Sequence, residues 1–86
     1  MQPTSEQQDA MLKRLARVEG QLRGVQKLIR EQQDCEKVLQ QLSAARKALD
    51  KSFVEMIACL LETCLAEPQA KDEQLKQVRD LLGRYA

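Results

Sequence analysis

The chain has 86 residues, with 14 basic and 13 acidic side chains, one Phe, one Tyr, no Trp and no His. So short a chain buries a modest fraction of its surface when it folds alone. Its wealth of Leu, Ala, Gln, Glu, Lys and Arg favours helix over sheet. The lack of histidine excludes any imidazole-based metal site or catalytic dyad, and a net charge of +1 selects no partner by itself.

Met1 to Thr4 reads as a short lead. Ser5 followed three residues later by Gln8 fits a capping-box start for a first helix over about 6–31. Its apolar residues Met11, Leu15, Val18, Leu22, Val25 and Ile29 recur at spacings of three and four along one side. Six basic residues between Lys13 and Arg30 face one acid, Glu19, and are expected on the opposite arc as a concentrated cationic field. Gly20 and Gly24 are costly in a helix interior unless something approaches closely there. Close helix packing is the expectation, and backbone approach to a ligand is the alternative.

Gln32 and Gln33 read as the turn and Asp34 as the N-cap of a long second helix over 34–66. Its expected core stripe is Val38, Leu39, Leu42, Ala45, Leu49, Phe53, Met56, Ile57 and Leu60. Glu67-Pro68 stops it, because proline cannot continue the hydrogen-bond ladder. A short third helix over 71–83 presents Leu75, Val78, Leu81 and Leu82. The expectation is one all-α domain over 1–86 with three helices and no strand. A 32-residue helix spans about 48 Å, longer than a compact monomer of this size is wide, so self-association is expected to cover its apolar face.

No apolar run approaches the roughly 20 residues that cross a bilayer. The leading MQPTSEQQDA lacks the apolar core of a signal peptide, so a soluble, cytoplasmic protein is expected, with no membrane partner. Its three cysteines then read as reduced thiols available for ligation or redox chemistry. Cys35 and Cys64 are 29 residues apart, which returns to within about 20° of the same helical direction, yet they lie roughly 43 Å apart along the axis. They cannot meet within one chain. Two copies of the helix packed antiparallel would bring Cys35 of one level with Cys64 of the other at two equivalent sites, with the two-fold axis near Leu49 and Asp50. Cys35 opens its helix, where the macrodipole and free amides favour the thiolate, so it is the expected nucleophile and Cys64 the resolving partner. Cys59 lies about 120° from that face and reads as a packed or bystander thiol, with an accessory sensing thiol as the alternative. The plain alternative for Cys35 and Cys64 is that both are small buried hydrophobes.

The first helix, LKRLARVEGQLRGVQKLI, followed by Cys35 and VLQQLSAARKAL, resembles the copper-sensing operon repressor (CsoR) family, which also includes nickel/cobalt and formaldehyde sensors of the RcnR and FrmR types. The likeness covers residues from about 12 to 66. It implies an all-helical, disc-shaped tetramer built from antiparallel dimers, each a four-helix bundle, with the ligand site between protomers. It also implies a non-enzymatic repressor that binds double-stranded operator DNA without a helix-turn-helix. By position, Arg14, Arg17, Gln21, Arg23 and Lys51 match the family's DNA-contacting residues. Basic side chains of this kind hold a duplex through its phosphates.

Copper sensors of the family use a Cys, His, Cys set with His four residues before the second Cys, and here that position is Leu60. Nickel and cobalt sensors need imidazole, and the formaldehyde sensors' Pro follows the initiator Met directly, whereas here Gln2 intervenes. Two thiols without the histidine are similar to the persulfide-sensing (CstR-like) branch. There a Cys35 persulfide would be captured by Cys64 of the other protomer as a di-, tri- or tetrasulfide, derepressing genes that detoxify sulfide and sulfane sulfur. This reading requires no cofactor and no resident metal. The alternatives are a repressor that binds Cu(I) through Cys35 and Cys64, a thiol or sulfur carrier that does not bind DNA, and a purely structural helical module.

Overall fold

The computed structural model describes residues 2–66 and 71–85. These form three helices, α1 (Ser5–Arg30), α2 (Cys35–Ala66) and α3 (Lys71–Tyr85), with no strand among the described residues. The helix count agrees with the sequence reading, and the ends shift by one or two residues. Thr4, not Ser5, is the N-cap of α1. Its hydroxyl accepts from the Gln7 amide at 3.2 Å, and the Gln7 side chain accepts from the Thr4 amide at 2.8 Å. Thr4 with Gln7 meets the capping-box pattern as well as Ser5 with Gln8 does. Gln8 instead donates to the Pro3 carbonyl at 3.1 Å. At the other end α3 continues through Gly83 to Tyr85. The Glu67-Pro68 stop lies outside the described residues, and α2 ends at Ala66 just before it.

The turn between α1 and α2 is a Schellman cap. The Gln33 amide donates to Leu28 O and the Gln32 amide to Ile29 O, both at 3.0 Å, and Gln32 takes φ 55. This satisfies the last carbonyls of α1 and reverses the chain, at the steric cost of a left-handed conformation in a residue other than glycine. Asp34 then starts α2 through its carbonyl, which accepts from Lys37 and Val38 at 3.0 and 3.2 Å.

Helices α1 and α2 form an antiparallel hairpin. Their seam is lined by Val18 and Val25 from α1 and by Ala45, Ser52 and Cys59 from α2, all buried. The α2 residues in this seam repeat every seven positions, the period that keeps a stripe facing a neighbouring helix. Small residues there let the two backbones approach. Ser52 was not part of the expected stripe, but its hydroxyl donates to the Ala48 carbonyl at 3.1 Å and so carries no unmet polar demand into the core.

The expected core stripe of α2 therefore divides between faces. Ala45 meets α1, while Leu39, Leu42, Leu49, Phe53 and Met56 stay exposed, Leu49 at 50% and Phe53 at 43%. Phe53, Ile57 and Leu60 border an apolar cavity of about 180 Å³ against Leu81, Leu82 and Tyr85 of α3. On α1, Leu22 and Ile29 are likewise exposed. The chain extends over 56 × 26 × 13 Å with a radius of gyration of 17.2 Å, against about 12 Å for a compact chain of this length. No described helix is long and apolar enough to cross a membrane.

Candidate functional site

The three cysteines have unlike environments. Cys35 is exposed at the first position of α2, Cys59 is 8% exposed in the α1–α2 seam, and Cys64 is 1% exposed. Helical spacing explains the burial of Cys64. It follows Leu60 by four residues and Ile57 by seven, continuing the stripe that α3 covers. All three are free thiols. Because the single helix α2 carries Cys35 at one end and Cys64 near the other, the two do not meet within the chain. Cys59 is packed, as its phase suggests. The plain alternative, that both end cysteines are small buried hydrophobes, therefore holds for Cys64 and fails for Cys35. Among the described residues no three Cys, Asp or Glu side chains cluster as a metal cage. A metal held by Cys35 and Cys64 therefore needs two chains.

The five residues matched to DNA contacts fall into two environments. Arg17, Arg23 and Lys51 are exposed, whereas Arg14 and Gln21 are half-buried beside α2. Arg14 thus departs from the expected arc. It lies four residues before Val18, about 40° from the buried stripe, so it enters the groove between the helices. Arg23 sits 3.7 Å from Glu19 in an exposed pair, an arrangement worth little in water and easily exchanged for phosphate. The Gln21 side-chain oxygen is buried without a hydrogen-bond partner.

Gly20 and Gly24 do not serve close packing between the helices of one chain. A Cβ placed on either would meet nothing within 4 Å, and both open onto a groove they share with Arg17, Gln21, Leu28 and Gln41. The helix backbone is thereby bared next to Arg17 and Gln21, two of the five residues matched to DNA contacts.

Residues 7–84 match the family model described as metal-sensitive transcriptional repressor. The chain belongs to this family. Its members are repressors and not enzymes. Among relatives of this repressor family, the chain is 37% identical over 67 residues to the copper-sensing transcriptional repressor RicR of Mycobacterium tuberculosis, covering 78% of this chain and 70% of that protein. It is 27% identical over 82 residues to the copper-sensing transcriptional repressor CsoR of Bacillus subtilis, covering 95% and 81%. The fold is similar to that of the copper-sensing repressor CsoR with Cu(I) from Geobacillus thermodenitrificans, with a TM-score of 0.77, 27% identity and coverage of 99% and 92%. It is also similar to the nickel-responsive transcriptional regulator InrS, with a TM-score of 0.81, 28% identity and coverage of 100% and 98%.

Proposed function

We propose that this repressor binds operator DNA through the basic face of α1 and Lys51, and that reactive sulfur releases it through Cys35 of one protomer and Cys64 of another. The observation that carries the reading is the donor set: two thiols, one exposed at a helix N-terminus, in a chain without a single histidine. The Cys35 thiolate attacks the outer sulfur of an organic persulfide, forming the Cys35 persulfide and expelling the organic thiolate. The Cys64 thiolate of the second protomer then attacks the inner sulfur, closing the Cys35–Cys64 disulfide and releasing hydrosulfide. A second persulfide on Cys64 would close a trisulfide instead, again with loss of hydrosulfide. The cross-link joins two chains, which biases the assembly away from its operator-bound shape.

An antiparallel dimer and a tetramer are part of this proposal. What supports them is the exposed stripe Leu39, Leu42, Leu49, Phe53 and Met56 on one side of α2, large apolar side chains of the kind that mark an interface.

A second reading, Cu(I) held by the same two thiolates in linear geometry, is favoured by the copper-sensing function of RicR and the Bacillus CsoR. Intact mass on non-reducing gels separates the two. Reduced protein treated with an organic persulfide is expected to give an interprotomer Cys35–Cys64 cross-link or mass gains in multiples of sulfur, and Cys35→Ala is expected to abolish them. Tight Cu(I) binding that releases DNA, with no persulfide adduct, would replace the sulfur reading by the copper one. Unchanged binding to the protein's own promoter region after Arg14→Ala with Arg17→Ala would end both.

A further inference from the structure

The side-chain hydrogen bond from Gln7 Nε2 to Glu62 Oε2, 2.8 Å long, joins residues 55 apart in sequence and fixes the register of the α1–α2 hairpin. Advancing seven residues along α1 and retreating seven along α2 brings Arg14 level with Glu55, about 10 Å further along the seam. Both rungs border one cavity of about 100 Å³, with Cys59 also in its wall. The Arg14 guanidinium thus sits in a groove with two carboxylates, yet the ion pairs among the described residues are Arg23–Glu19 and Lys27–Glu31. Glu62 is engaged by Gln7, which is itself fixed by the capping box at Thr4.

We infer that Glu55 and Glu62 compete with operator phosphate for Arg14, so that the α1–α2 seam contains the group that withdraws this arginine when the repressor lets go. Glu62 lies two residues before Cys64, on the turn that must move when Cys64 is engaged by a second protomer. The Gln7–Glu62 bond is exposed, so it opens at equilibrium in reduced protein and more fully when Cys64 is engaged. Each opening frees a carboxylate one rung from Arg14, and an arginine paired with carboxylate in a groove is lost to a phosphate outside it. Gln7, Glu55 and Glu62 act as positioning residues and do not touch the inducer.

The inference rests on Arg14 as an operator contact, and a double-mutant cycle tests the two separately. Reduced protein is titrated by fluorescence anisotropy onto a labelled duplex from the promoter region of its own gene, with helicity checked by circular dichroism. Glu55→Gln with Glu62→Gln is expected to tighten binding about tenfold, a gain of about 1.4 kcal/mol, and by less than about twofold in the Arg14→Ala background, which leaves a coupling of about 1 kcal/mol or more. Neutralising two acids also raises affinity non-specifically, and that effect survives without Arg14. An equal gain in both backgrounds, with Arg14→Ala itself weakening binding, overturns the inference and leaves the operator contact standing. Native affinity in Arg14→Ala overturns the contact, and the inference with it. Each single variant, Glu55→Gln or Glu62→Gln, gives a second cycle should the double one fold poorly.

Discussion

Gln32 shows what a single residue costs this fold. It holds φ 55 in the cap between α1 and α2, a conformation that glycine adopts freely and other residues only under strain. Gln32→Gly is expected to raise stability by about 0.5–1 kcal/mol, read as a higher urea midpoint at unchanged slope. Gln32 and Gln33 were legible as a turn from the break in periodicity. The Schellman geometry was not, because its usual signature is a glycine at the position that Gln32 holds. Gly20 and Gly24 make the opposite case, being flexible where rigidity would cost nothing in the chain itself. With open space at both Cβ positions, alanine at each is expected to stabilise α1 by about 1 kcal/mol in thermal or chemical unfolding. A loss of operator binding or assembly alongside that gain would mean that a partner closes onto the bared backbone.

At the scale of elements, apolar periodicity marks all three helices, and α2 carries more of it than one neighbour can cover. Its apolar residues form a band too wide for one neighbour, so no wheel could divide it between α1, α3 and a further surface. Ser52 was invisible as a core residue because its hydroxyl is satisfied within its own helix. Arg14 was misplaced because it belongs by charge to the basic face and by phase to the seam. By phase Cys64 continues the α2 stripe that α3 borders, and Val78 of α3 is itself buried at 4% exposure. Val78→Ala removes two methyl groups from that packing, weakening it by about 1–2 kcal/mol. Alkylation of Cys64 in the reduced, undenatured protein is then expected to quicken about tenfold, followed by mass spectrometry after proteolysis, while the rate at exposed Cys35 stays unchanged. An unchanged Cys64 rate would show that α3 is not what shields it.

The whole molecule is open in a way that a self-sufficient fold is not. Its accessible surface is 7048 Å², whereas a compact monomer of this mass exposes about 5,200 Å². The excess includes the exposed α2 stripe from Leu39 to Met56, whose centre is Leu49. In an antiparallel pairing that sets Cys35 against Cys64 of a second chain, the two-fold axis passes beside Leu49, so one substitution there acts twice in each dimer. Leu49→Arg would replace two apolar side chains at that axis by two like charges face to face, a cost of about 2–3 kcal/mol even with Asp50 of each chain beside them to offset part of the repulsion. Sedimentation of the variant is expected to show a shift toward monomer, with reduced helicity because α1 and α2 alone leave the stripe in water. Persulfide treatment of the same variant should still load sulfur onto exposed Cys35, yet yield no cross-link between chains. An intact assembly after Leu49→Arg would place the two-fold axis elsewhere and remove the geometric basis for pairing Cys35 with Cys64. Retained cross-linking by a fully monomeric variant would remove the need for a stable interface.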